Sequence, residues 1–304
     1  MEGMSDLVVT EQLTKSYGPR TVVDSLDLRV PEGCVYGFLD PNGSGKSTTM
    51  KMLLSLVRPT RGQVHIGGRV MDRSTRREQL AGIGSLIEQP PGYGHLTGRE
   101  NMRIVQRLLS LTDSQVDFAV QTVRMQDQLD RKVREYSLGM KQRLGIAMAL
   151  ARQPRLLILD EPTNGLDPAG IEEIRDLLRR LAAGGVTVMV SSHLLGEIDR
   201  TATVLGILSR GRLLFQGTRE QLFAASTPDV LIDCSDPRRA GELLAPRMRI
   251  ALDGGTLRVP GLGVRATAEV VALLVHAEIG VHGVRREEQT LEDLFMDLTA
   301  GGGL

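Results

Sequence analysis

The residues best suited to chemistry stand in one short run, Asp40-Pro41-Asn42-Gly43-Ser44-Gly45-Lys46-Ser47-Thr48. It lies between an apolar stretch, residues 34–39, that reads as a strand and a helix-like run over residues 46–57. Strand, glycine-rich turn and helix start, in that order, are what a phosphate-binding loop requires. Backbone N–H groups from Asn42 through Gly43, Ser44 and Gly45 to Lys46 would cradle phosphate oxygens. Lys46 would reach the β and γ oxygens, Ser47 would offer its hydroxyl to magnesium, and Thr48 would add a hydroxyl at the α-phosphate.

A second group follows downstream, where the aliphatic run 156–159 is closed by Asp160 and Glu161. Such a run predicts a parallel strand buried on both faces that delivers two carboxylates at its C-terminal end. Adjacent acids on a dry strand are costly unless something cationic needs them. A plain acidic turn before Pro162 is the competing reading, and the phosphate-type loop upstream tips the balance toward the cation.

Asp40 departs from the loop pattern, which wants glycine at its first position. Aspartate tolerates a left-handed backbone better than most residues. Its charge matters more, since a carboxylate about 6 Å from a phosphate at an effective dielectric near 20 costs about 2–3 kcal/mol. Asp40 is therefore expected either to point away from a nucleotide or to weaken its binding.

With these residues in view, the chain resembles the ATP-binding subunit of an ABC transporter over about its first 220 residues. The resemblance implies an α/β fold of the P-loop NTPase, ABC type, with ATP and Mg2+ as cofactors. It matches Tyr17, in KSYG, to the aromatic that stacks on adenine. Ser137-Leu138-Gly139-Met140 matches the family signature, with Leu138 where glycine is commoner and Met140 where glutamine is commoner. Ser137 and the Gly139 amide, at a helix N-terminus, would face the γ-phosphate held by a partner subunit. Asp160 would hold magnesium through water, Glu161 would polarise the attacking water, and His193, after the apolar stretch 186–190, would hold the γ-phosphate end. Gly165-Leu166-Asp167 matches the loop that communicates across the dimer.

The segment IGSLIEQPPGYGHLTGREN resembles the loop that couples nucleotide to the membrane partner, where the family usually has glutamine. Aligned on Pro90 and Tyr93, this chain places Glu88 there, which resembles the bacitracin and lantibiotic export branch; a shift of one residue would give the place to Gln89. Either side chain offers a carbonyl-type oxygen to magnesium and the water, so Glu88 counts both as a catalytic and as a metal-binding candidate.

Composition narrows the alternatives. The 304 residues carry no net charge, 3% aromatics and no tryptophan. No phosphate-neutralising stripe or base-stacking platform is evident, which argues against nucleic acid as a partner. Cys34 and Cys234 lack metal-ligand spacing and suit a reducing compartment. No signal peptide is expected, because Asp6 and Glu11 interrupt the start. The longest aliphatic stretches are strand-sized, so a transmembrane permease subunit on a separate chain is expected, with this chain peripheral on the cytoplasmic face of the membrane.

The elements that position these groups follow from periodicity. Residues 7–30 alternate as strands with Val8, Leu26, Leu28 and Val30 inward, and residues 62–70 form a strand pair around Gly67-Gly68. A helical subdomain is expected over about 99–150, with residues 99–133 as the lobe that docks on the membrane subunit. The ATP-binding domain is placed at 6–226 and a small α+β domain at 229–300, divided near Thr227-Pro228-Asp229. In the latter, strand 230–234, helix 237–244, hairpin 248–252 and 256–259, helix 267–278 and strand 281–286 suggest a ferredoxin-like domain. LEDLFMDLT closes it as an amphipathic helix with Leu291, Leu294, Phe295 and Leu298 on one face.

The combined expectation is an ATP-hydrolysing subunit that powers antibiotic, drug or peptide export and works as a dimer of nucleotide-binding domains, read as a homodimer. The alternative is a weakly hydrolysing regulatory subunit, on account of Asp40.

Overall fold

The computed structural model describes residues 5–39, 45–88, 90–192, 195–225, 228–287 and 290–299, without the side chains of Glu197 and Asp297. The chain divides into two compact units, Met1–Arg219 and Glu220–Leu304.

The first unit runs β1 (Asp6–Tyr17), β2 (Arg20–Leu26), β3 (Arg29–Pro31), β4 (Val35–Leu39), α1 (Lys46–Leu53), β5 (Arg61–Ile66), β6 (Arg69–Val70), α2 (Arg76–Ala81) and β7 (Ile83–Leu86). It continues through α3 (Gly98–Leu109), α4 (Asp113–Thr122), α5 (Leu138–Leu150), β8 (Leu156–Asp160), α6 (Pro168–Ala183), β9 (Thr187–Ser192), α7 (Leu195–Asp199), β10 (Val204–Ser209) and β11 (Arg212–Gly217). Among the described residues, a six-stranded sheet has the order β11-β10-β4-β9-β8-β7. Its pairs from β10 to β7 are parallel, and only β11 is antiparallel. An antiparallel sheet, β2-β1-β5-β6 with β3 also on β1, covers part of the same core.

Every residue of β4 and β8 is buried. Leu156, Leu157, Ile158 and Leu159 are fully enclosed, at about 1.5–3 kcal/mol of apolar burial each. That is the continuous hydrophobic run of a strand covered on both faces. Val8, Leu26, Leu28 and Val30 all enter the core, as their alternation predicts.

α1 is shorter than the run 46–57 suggests. Ser55 turns left-handed (φ 55°), and the N–H groups of Leu56 and Val57 return to the carbonyl of Lys51, which closes the helix in the manner of a Schellman end. The helical lobe is also less regular than its composition implies. α3 and α4 each start on a capping box, Thr97 with Glu100 and Thr112 with Gln115, but residues 123–137 wind through two short 3₁₀ turns before α5. Glu100 thus serves the cap of α3.

α8 (Arg219–Ala225) straddles the division between the units. The second unit then runs β12 (Val230–Cys234), α9 (Pro237–Leu244), β13 (Ala251–Asp253), β14 (Thr256–Val259), α10 (Val264–His276), β15 (Val281–Arg286) and α11 (Leu291–Thr299). Its sheet is antiparallel in the order β13-β14-β12-β15. Ala240 and Leu244 of α9 and Val270 and Leu274 of α10 share one core with Val230, Ile232 and Cys234. Since the three β12 residues alternate, both helices cover the same sheet face. The first hairpin strand begins at Ala251 rather than residue 248, and α10 starts earlier than residue 267. In α11, Leu291, Leu294 and Phe295 are buried and Leu298 is half-buried.

Candidate nucleotide site

The parallel strands end level with one another. Leu39 of β4 faces Ser192 of β9, and Asp160 of β8 faces Ser191. The carboxyl ends of open parallel strands, where the order switches, are where such sheets bind ligands. Here β4 lies between β9 and β10, although β7 and β8 precede both in the chain.

α1 begins at this edge. Its N-cap, Gly45, has φ 107°, and a Cβ there would lie 2.7 Å from the Val22 carbonyl oxygen, so both backbone and space demand glycine. Lys46 is 7% exposed. Its ammonium donates to the Ser192 carbonyl at 3.3 Å and lies 3.6 Å from Glu161 Oε1. The lysine is thus held between the ends of β9 and β8 by polar partners that offset the cost of its burial.

Ser47 Oγ donates to Asp160 Oδ2 at 2.8 Å, so two of the three proposed magnesium ligands already meet. A hydroxyl and a carboxylate oxygen are hard donors, and magnesium is commonly held by one or two such groups plus substrate phosphates. No cluster of three or more His, Cys, Asp or Glu is found among the described residues. The Ser47 and Asp160 oxygens suit a cation that arrives with a phosphate ligand.

Ser191 is the residue that the sequence reading missed. Fully buried, its Oγ donates to Asp160 Oδ1 at 2.6 Å and accepts the Glu161 N–H at 2.9 Å. One hydroxyl thus fixes both acids. Glu161 has φ 52°, a left-handed backbone that costs a non-glycine residue about 1–3 kcal/mol and recurs at functional sites. The available signal was a hydroxyl pair closing an apolar strand, next to His193.

Thr48 follows, half-buried, on the first turn of α1. Tyr17, at the end of β1, is 52% exposed, and the Lys15 ammonium lies 4.8 Å from its ring centroid. The ring is therefore an exposed surface platform. Asp40, Asn42, Gly43, Ser44, Gln89 and His193 lie outside the described residues.

Glu88 follows β7 with φ 69°, and its Oε1 accepts from Lys51 Nζ of α1 at 2.5 Å. The hydrogen bond from Lys51 lowers the Glu88 pKa below its usual value, and reciprocally Glu88 raises that of Lys51. Farther along the loop, Asn101, 2% exposed, accepts from the Tyr93 N–H at 2.8 Å and donates to the Tyr93 carbonyl at 3.2 Å. That buried amide shapes the loop after Glu88.

Ser137 caps α5 by accepting from the Met140 N–H at 3.3 Å, with Gly139 in the first turn. The Leu138 side chain packs on the loop after the acids. A Cβ on Gly165 (φ 74°) would lie 3.0 Å from Leu138 Cδ2. The leucine that replaces the commoner glycine therefore has a glycine opposite it. Asp167 caps α6 by accepting from the Gly170 N–H at 3.1 Å, with Pro168 in the first turn. Burial pushes the Cys34 thiol up to about 12 and raises that of Cys234, so neither is a nucleophile at neutral pH.

The fold and the site define a P-loop nucleotide-hydrolysing cassette. The ABC transporter family model matches residues 23–164. The bacitracin transport ATP-binding protein BcrA of Enterococcus faecalis is 38% identical over 99% of this chain and 99% of its own. The chain belongs to the ABC transporter family, as an ATP-binding subunit. The lantibiotic transport ATP-binding protein SrtF of Streptococcus pyogenes is 42% identical over 68% of this chain and 88% of its own length. Among solved structures, cbiO1 from Clostridium perfringens, part of the ABC transporter complex cbiONQ, has a TM-score of 0.67 at 25% identity, covering 72% of this chain and 91% of that one. No helix among the described residues is long and apolar enough to cross a membrane.

Proposed function

We propose that this ATPase subunit drives export of a peptide antibiotic of the bacitracin or lantibiotic kind through a separate membrane-embedded permease. The observation that carries the reading is likeness to a bacitracin transport protein along the whole chain, second unit included. Glu88, in place of the commoner glutamine, supports the same branch.

In this reading Tyr17 stacks on adenine, and Asn42, Gly43, Ser44, Gly45 and Lys46 bind the phosphates. Thr48 adds a contact at the α-phosphate. Magnesium, when bound through Ser47 and Asp160, with Glu88 as a further oxygen donor, neutralises charge on the β- and γ-phosphates. Glu161 orients and polarises the attacking water, while His193 holds the γ-phosphate end. Two copies of the chain pair so that Ser137 and Gly139 of one face the nucleotide of the other. The assembly sits against its permease at the cytoplasmic face of the membrane, with the lobe over residues 99–133 as the docking part. The unit over 229–300 is read as ferredoxin-like, a packing and dimer-supporting module. The intact arrangement of Ser47, Asp160 and Glu161 favours turnover over a purely regulatory role.

The test is co-expression with the permease that co-purifies with it, in a host sensitive to bacitracin and to a lantibiotic. Resistance to one of these peptides is expected with the wild type and not with Glu161→Gln. Unchanged susceptibility to both, with ATPase activity intact, would overturn the substrate assignment.

A further inference from the structure

A carboxylate beside a bound triphosphate is electrostatically awkward, and this chain carries one at Glu88 where a neutral amide would do. The structure supplies a cation for it. Ile87 packs against the main core, and the left-handed backbone at Glu88 turns the next side chain away from that anchor, onto Lys51. Lys51 stands on α1, the helix that begins with Lys46, and its ammonium is also within electrostatic reach of Asp160 and Tyr17. One side chain therefore sees the loop acid, the acid that pairs with Ser47 and the aromatic platform.

We propose that Lys51 is the positioning residue for Glu88: it holds the loop carboxylate against α1 and offsets its charge, so that an acid can face Mg-ATP without repelling it. This rests on the reading of Glu88 as a nucleotide-facing group. Removing the ammonium does two things, freeing the carboxylate to move and leaving its charge uncompensated. Removing the carboxylate as well erases both effects. The signature is thus a coupling between two residues rather than a loss at either.

The experiment is a double-mutant cycle on Lys51→Met and Glu88→Gln in the full chain, with Lys51→Arg as the conservative variant. Equilibrium binding of a fluorescent ATP analogue is measured with and without Mg2+, and kcat and KM are measured separately. Lys51→Met is expected to weaken nucleotide binding about fivefold or more when Glu88 is present and less than about twofold when combined with Glu88→Gln. Lys51→Arg is expected to restore binding, and KM should move more than kcat. Equal weakening by Lys51→Met in both backgrounds overturns the pairing and leaves the Glu88 assignment standing. If Glu88→Gln alone changes neither binding, Mg2+ dependence nor turnover, the Glu88 assignment fails and the proposal falls with it. Thermal unfolding of each variant separates these outcomes from misfolding.

Discussion

Gln142 donates its side-chain amide to the Pro162 carbonyl at 2.9 Å, inside the protein. The donor stands on α5, just past the signature, and the acceptor directly follows Glu161. The helix that carries Ser137 and Gly139 is thereby tied to the loop that leaves the acids. Gln142 is 4% exposed, so water does not replace the bond readily.

Substituting Gln142→Leu leaves the Pro162 carbonyl buried and unpaired, which should cost about 1–3 kcal/mol. Gln142→Glu should do worse, because it sets a second acceptor against that carbonyl. Denaturant unfolding reads the stability, and ATPase assays of both variants show whether the loop after Glu161 has moved.

Ser191→Ala removes the one hydroxyl that serves both acids. It should reduce Mg2+ affinity or activity by about 10–100-fold, as loss of a partner behind a metal ligand commonly does. The Mg2+ dependence of ATPase activity separates this from simple destabilisation: a shifted Mg2+ midpoint is expected, and an unchanged one counts against the assigned role.

Glu161→Gln keeps shape and removes the charge 3.6 Å from Lys46. Turnover should fall about 10²–10⁴-fold, the usual worth of a positioned base, with ATP binding retained. Filter binding and phosphate release on the same preparation check both halves.

Burial disfavours the Cys34 thiolate and pushes the thiol up to about 12 in the folded chain, from 9.0 unperturbed. A raised pKa means that the group's contribution to stability is complete below about 9 and is lost as pH rises toward 12. Unfolding midpoints should therefore fall across that range, and less so in Cys34→Ala. Iodoacetamide at pH 8 should label Cys34 only after denaturation.

Legibility in the sequence followed sequence distance. The phosphate-type loop, the acid-tipped β8 and the signature could be read because each places its groups within a few consecutive residues. The succession of elements beyond residue 229 was readable because alternation and turn residues mark short strands locally. Ser191 was missed because its role exists only through the register that sets Asp160 opposite it. Lys51 meets Glu88, and Gln142 meets Pro162, across stretches of chain with no shared periodicity. The early end of α1 reflects a left-handed Ser55 that helix propensity does not forecast.

The order of strands in the main sheet also carries a timetable. β4 holds the base of the phosphate loop, yet both its neighbours, β9 and β10, are made much later, so Val35 waits for Val188 before it is paired on either side. The Ser192 carbonyl and Ser191 hydroxyl, which steady Lys46 and the two acids, emerge together at that late point. Until then a growing chain has the motif without the site. The arrangement around Lys46 is consequently a certificate that synthesis has passed β9: an amino-terminal fragment that stops earlier carries the whole phosphate-loop sequence and lacks the carbonyl and the hydroxyl that hold Lys46 and Asp160.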